Sequence, residues 1–380
     1  MSLYLRLPRA RIHKLGLFTR NISYIRKYIP METLVEEETL PHYDFSHFYP
    51  VKIGDAYQDR YQVIGKLGYG AYFTSWLCRD SQVDRYKVLK VLTPLPNHST
   101  ARAGEVRVYE HLSKIESSHL GQGLLHELYD TFKLAGPSGE NQCVVLQPMH
   151  MTLHEMMKLN PKPFDMPLLK MTVRRVLLAL DFLHSKAGVI HTDLKADNLM
   201  LSIEDPSMLT DFAIAELQSP SPGKQGYGPL ILCGFGQARI GRSHESGPGD
   251  IEMPWGCPVD IWNLAGLIWD LFEGEHLFGD ISNARDWHDA PIHLAMMVAL
   301  IGLPPSEFVR HSETAEQCFD SNEDDEPTPN ILRETRGKRL SGEEKELFLA
   351  FIRSMLKWMP EERYTAKQLL EHPYTCCDCL

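Results

Sequence analysis

The sequence predicts an α+β protein in two parts, a small β-rich unit followed by a larger, mainly helical one. Three observations carry that expectation. Between Arg60 and Leu92, runs rich in β-branched and aromatic residues alternate with turn residues, as consecutive strands do. From Leu168 to His184, the apolar residues Leu169, Val173, Val176, Leu177, Leu180 and Leu183 recur at helical spacing. Asp260–Phe272 is apolar almost all round, the pattern of a helix buried within a large domain.

Each element follows in order. Tyr61–Ile64, Tyr72–Cys78 and Tyr86–Leu92 are expected strands, the first two joined by a Gly68-Tyr69-Gly70 turn. Ala101–Ile115 is an expected helix with Val108, Leu112 and Ile115 on one stripe. Gln142–Gln147 reads as a further strand, bounded by Pro148. The small unit is therefore placed at 41–148 and the large one at 149–374, with an arm at 1–40 and a Cys-rich tail at 375–380. Gln218–Pro229, rich in Ser, Pro and Gly, and the acidic Glu313–Pro329 are expected loops.

Composition bounds the function. At 380 residues and 43% hydrophobic, the chain has enough apolar material for a sizeable core. No run of eighteen apolar residues occurs, so no membrane-spanning helix is expected. The net charge of −11 disfavours direct nucleic-acid binding and favours a basic partner. The eight cysteines are mostly scattered singly, which fits a reducing compartment better than a disulfide framework. A thiol metal site in Cys376–Leu380 lacks a fourth ligand, and prenylation there would put Asp378 where an aliphatic residue belongs, so a frayed tail is expected. The first thirty residues hold seven basic and no acidic side chains; a disordered basic arm and a mitochondrial presequence both remain open.

The sharpest signal is Val189-Ile190-His191-Thr192-Asp193-Leu194-Lys195-Ala196-Asp197-Asn198-Leu199-Met200-Leu201. It resembles the protein-kinase catalytic loop: Asp, four residues, then Asn, between two apolar runs. The chemistry explains the residue types. Asp193 can orient an acceptor hydroxyl and take its proton, Lys195 can neutralise the transferred phosphoryl group, and Asn198 can offer its amide oxygen to Mg2+. A lone Asp-x-Lys would be a surface ion pair; thirteen residues in this pattern are not.

The small unit supplies matching parts. Leu67-Gly68-Tyr69-Gly70-Ala71 resembles the glycine loop that lets backbone amides approach ATP phosphates. Phe73 stands where the third glycine is usual, and Ser75 where a valine usually covers adenine. Lys90 matches the phosphate-holding lysine of the third strand, Glu105 its ion-pair partner, and Met149 the hinge residue that meets adenine. The expected fold is thus a bilobal, protein-kinase-like one.

The form His191-Thr192-Asp193-Leu194-Lys195 is similar to that of the SR-protein kinases, as are Pro50–Asp55, Tyr61–Gly68, His126–Phe132, Pro254–Leu264, Trp269–Gly274 and Pro360–Ala366. The likeness covers about residues 40–374, and fungal-type members are the nearest in character. It implies a monomeric, ATP- and Mg2+-dependent serine/threonine kinase, cytoplasmic or nuclear. Its implied substrates are Arg/Ser-rich splicing proteins, which an acidic enzyme suits. Thr192 replaces the arginine that reads activation-loop phosphorylation, so switching by that route is not expected.

Two departures matter. The second metal ligand, usually the Asp of Asp-Phe-Gly, has two competing positions. Asp211-Phe212-Ala213 lies thirteen residues after Asn198, which suits a strand–turn–strand. Gly234-Phe235-Gly236 follows the strand-like Pro229–Cys233; the family pattern favours it and leaves Gly where the metal carboxylate belongs. Between Gly236 and Asp260 no Ala-Pro-Glu occurs, so Arg363 is left to recruit Glu252 or to lack a partner. A pseudokinase acting as a nucleotide-binding or scaffolding module is the alternative function, and a coding sequence with a deleted segment is a third reading.

Overall fold

The computed structural model describes residues 36–41, 43–94, 99–218, 227–241, 256–279, 290–310 and 339–376. The readings of the arm up to residue 35, the 219–226 loop, the segment holding Glu252, the acidic loop at 313–329 and the last four residues lie outside them.

Along the chain the strands are β1 (Ala56–Tyr57), β2 (Tyr61–Gly70), β3 (Phe73–Asp80), β4 (Arg85–Leu92), β5 (Leu128–Gly136), β6 (Gly139–Leu146), β7 (Met149–Thr152), β8 (Val189–Ile190), β9 (Leu199–Ile203), β10 (Tyr227–Leu232) and β11 (Arg239–Ile240). The helices are α1 (Ser99–Ser113), α2 (Leu153–Leu159), α3 (Met166–Phe182), α4 (Ser207–Gln218), α5 (Pro258–Glu273), α6 (Ala290–Ile301), α7 (Ser306–Arg310), α8 (Gly342–Met355), α9 (Ala366–Leu370) and α10 (Pro373–Cys376). Two compact units result. One takes residues up to 110, 126–150 and 201–229, the other 111–125, 151–200 and 230 onward.

The first unit is an antiparallel sheet in the order β1-β2-β3-β4-β6-β5. Alternate residues along each strand face opposite sides. One face buries Tyr61, Val63, Trp76, Cys78, Leu89, Val91, Cys143 and Val145, covered by Tyr49, Val51 and Ile53 of the lead-in segment. On the other, Ile64 and Leu77 pack against Ala213, with Leu209 and Phe212 beside them. That packing of α4 explains why 201–229 groups with the strands instead of following a single cut after residue 148. The expected turn at Gly68-Tyr69-Gly70 is corrected: β2 runs through Gly70, pairing Gly68 with Ser75, Tyr69 with Thr74 and Gly70 with Phe73, so the turn is Ala71-Tyr72. Register shifts near Ile64 and Leu67 let the strand curl there.

The second unit is built round α5, which buries Ile261, Leu264, Ala265, Leu267, Ile268, Trp269, Leu271 and Phe272, as its apolar sequence requires. Pro258 starts it, and Gly274, at φ 77°, ends it in a left-handed cap. α3 begins at an Asp165 N-cap and buries Leu169, Val173, Val176, Leu177 and Leu180, the stripe read from spacing. α8 adds Phe348, Phe351 and Ile352, with Phe348 against Trp269 and Phe272. Burial of side chains this large contributes about 1.5–3 kcal/mol each relative to exposure, which makes this core rigid enough to hold a catalytic loop. No helix among the described residues is long and apolar enough to cross a membrane.

Candidate active site

The loop between β8 and β9 is pinned at both ends by apolar anchors, with Val189, Ile190 and Leu199 buried. Between them the backbone is held by one buried carboxylate. Asp260, in the first turn of α5, accepts hydrogen bonds from the backbone N–H of His191 at 2.8 Å and of Thr192 at 2.7 Å. It also accepts one from His184 Nε2 at 2.8 Å. Thr192 sits at φ 66°, a left-handed conformation that costs a β-branched residue about 1–3 kcal/mol. Its surroundings over-determine it. Asn263 Nδ2 donates to Thr192 O at 3.0 Å, and Thr192 Oγ1 donates to Gln237 O at 2.9 Å.

His191 ties this loop to the strand after it. Its Nε2–H donates to Cys233 O at 2.8 Å, and its ring meets Phe235 at 5.4 Å. Burial, opposed by the Asp260 charge, lowers its pKa and keeps the ring neutral. Cys233 N–H donates to Asn198 O at 2.8 Å. Cys233 and Gly234 are therefore fixed beside the catalytic loop.

The three catalytic-loop candidates lie together. Lys195 Nζ is 3.0 Å from Asp193 Oδ2, and both are partly exposed, as a group reaching for substrate must be. Asn198 Nδ2 donates to Asp193 O at 2.7 Å and to Asp193 Oδ2 at 2.9 Å. Asn198 Oδ1 crowds the position that a Cβ on Gly234 would take, and Gly234 has φ 78°. Gly234 thus lies against Asn198 and has no side-chain oxygen to offer there.

Asp211 does not take that role in a strand–turn–strand. It lies exposed on α4, whose buried side is Ala213, and belongs to the first unit. Residue spacing alone misplaced it, because the helical insertion between β9 and β10 was not legible as a helix. No cluster of three or more His, Cys, Asp or Glu able to hold a metal occurs among the described residues. Asn198 is the available amide ligand, with Asp193 beside it, so the donor set for Mg2+ is short of one carboxylate.

In the first unit, Lys90 on β4 and Glu105 on α1 form an ion pair at 2.6 Å, with side chains 18% and 8% exposed. Leu67 and Tyr69 are exposed, and Gly68 leaves open backbone along β2, where a Cβ would meet only Ser75 Oγ at 3.8 Å. These features fit a phosphate-bearing nucleotide. Met149 opens β7 directly after Pro148. Preceding it, His126 Nε2–H donates to Gln147 O at 2.8 Å, and Tyr109 Oη donates to His126 Nδ1 at 3.3 Å.

Among the described residues, the hydrogen-bond partners of Arg363 are carbonyls. It donates to Lys357 O and Pro258 O at 2.9 and 3.1 Å and lies 4.7 Å over the Trp262 ring. Burial lowers its pKa to about 10. No carboxylate among the described residues pairs with it.

Comparison with known proteins accords with this geometry. The protein kinase domain family matches residues 61–375. A serine/threonine protein kinase of Aspergillus fumigatus is 37% identical over 375 residues, covering 90% of each chain. Serine/threonine-protein kinase SRPK of Physarum polycephalum is 28% identical, covering 89% of this chain and 91% of its own. Mouse SRSF protein kinase 3 is 35% identical over 171 residues, 45% of this chain and 30% of its own. The chain belongs to the protein kinase family, among the serine/threonine kinases, and is similar to kinases of the SR-protein-kinase type.

Proposed function

We propose that the protein transfers the γ-phosphoryl group of ATP, with Mg2+, to serine hydroxyls of Arg/Ser-rich proteins. It acts as a monomer in the cytoplasm or nucleus. The observation that carries the reading is Asp193 held beside Lys195 and Asn198 on a loop fixed by Asp260. Asp193 orients the serine and accepts its proton, Lys195 offsets charge on the transferred group, and Lys90, supported by Glu105, holds the α- and β-phosphates. Beside the same loop lies a cavity of about 630 Å3, lined among others by Asp197, Asp270 and Glu275. Carboxylates there suit guanidinium groups flanking the serine. An Arg/Ser-repeat peptide should be phosphorylated faster than its Ala/Ser counterpart. Turnover no greater than that of Asp193→Asn would refute transfer.

A second reading rests on Gly234. With no carboxylate there and the Asn198 amide packed against it, nucleotide could bind without being turned over. Thermal shifts separate the two readings. If ATP stabilises the protein equally with Mg2+ and with a chelator, and no peptide is phosphorylated, the chain is a nucleotide-binding scaffold.

A further inference from the structure

An aromatic ring covers the Lys90 ammonium. Phe73 opens β3 directly after the Ala71-Tyr72 turn, opposite Gly70 on β2 and Leu92 on β4. Its ring rests against the Cα of Gly70: a Cβ on residue 70 would stand 2.9 Å from Phe73 Cζ and 3.0 Å from Cδ1. The same ring centre lies 4.5 Å from Lys90 Nζ, the atom that Glu105 holds at 2.6 Å.

We propose that Phe73 gates the phosphate site and sets how strongly the protein prefers a nucleoside polyphosphate over the bare nucleoside. The inference rests on the reading of Lys90 as the phosphate-holding lysine. An ammonium has three donors and seeks negative charge. Glu105 supplies one partner, and the π-face of Phe73 supplies another where phosphate oxygens would otherwise sit. Ring and phosphates therefore compete for one cation. Gly70 makes the arrangement available, because any side chain at that position would push the ring away. The neighbouring turn residues Ala71 and Tyr72 are exposed, so the ring can swing out without disturbing the ladder from Thr74 onward.

The consequence is selective. Binding of ATP requires displacement of the ring, and its apparent affinity is the intrinsic affinity multiplied by the fraction of molecules in which the ring is away. Adenosine carries no phosphate and does not need Lys90, so its affinity is untouched by the gate. The gate weakens ATP binding and leaves the ion pair with Glu105 in place.

The test is calorimetric titration of the full chain with ATP and with adenosine, for the natural protein, Phe73→Ala and Phe73→Leu. Phe73→Ala is expected to raise the ATP-to-adenosine affinity ratio about tenfold, the size of one partly desolvated cation–π contact. Phe73→Leu keeps an apolar side chain without the π-face and is expected to raise the ratio by a smaller factor. If Phe73→Ala does not fold, Phe73→Leu alone decides by the same comparison. Adenosine binding with an unchanged ratio overturns the gate while leaving the nucleotide site standing. Absence of binding by both ligands in every protein overturns the nucleotide reading itself, and the gate with it.

Discussion

Asn198 fills the space in which a side chain on residue 234 would stand. A Cβ built there falls 2.9 Å from the Asn198 Cβ and closer still to its amide group. No open socket therefore lies beside Asn198 at this glycine; the neighbouring amide occupies the space while donating to Asp193. Gly234→Ala should lower the unfolding free energy by about 1–2 kcal/mol, through its left-handed backbone and this crowding. Denaturant titration measures it, and adding Asn198→Gly should recover part of the loss. Strictly additive losses would show that the two side chains do not compete.

Asp260→Asn removes the charge on which three donors converge inside the core. At least one donor then goes unsatisfied, and stability should fall by about 2–3 kcal/mol. Hydrogen exchange gives the local signature: the His191 and Thr192 amides should exchange much faster, with β2–β4 unaffected. Unchanged protection at these two amides would remove Asp260 as the anchor of the loop.

Lys90→Met leaves the almost buried Glu105 carboxylate without its cation. A loss of about 2–3 kcal/mol is expected, against about 1 kcal/mol for Glu105→Gln, which retains a neutral acceptor for the lysine. Thermal or denaturant unfolding of the two variants checks the order, and equal losses would count against a tightly held pair.

His126 makes stability depend on pH. Burial lowers its pKa from 6.5 to about 4, so the folded protein keeps it neutral. The unfolded chain takes up a proton below about pH 6.5, so this contribution is complete above that pH and is lost as pH falls toward 4. Between pH 7 and pH 5 the loss from this residue should be about 2 kcal/mol. The lowered pKa of His191 acts in the same direction. His126→Leu should flatten the slope of unfolding free energy against pH; an unaltered slope would assign the effect elsewhere.

The parts legible in the sequence were those written in contiguous residues. The strip from Val189 to Leu201 declared its loop because apolar anchors and polar catalytic types alternate over thirteen positions. The buried α5 was legible from an almost continuous apolar run, and α3 from its stripe. Less legible were features set by pairing. Glycines at 68 and 70 suggest a turn, whereas the ladder to β3 carries them as strand and leaves the turn to Ala71-Tyr72. Asp211 was a metal candidate by spacing, and α4 turns it to solvent by burying Ala213 against the sheet.

By itself, the sequence named the candidates for the chemistry: Asp193, Lys195, Asn198, Lys90 and Glu105 can be picked out from motif and strand order. Tertiary structure decided what surrounds them. It put Gly234 beside Asn198 through the bonds from His191 and Cys233, and closed the Asn198 amide into the gap. It laid Phe73 across Gly70 onto Lys90, and gave Arg363 carbonyls for partners. The physical reason is range. A motif is a local pattern that one stretch of chain can display, whereas a filled gap or a ring on a cation exists only where residues far apart in sequence are packed to contact.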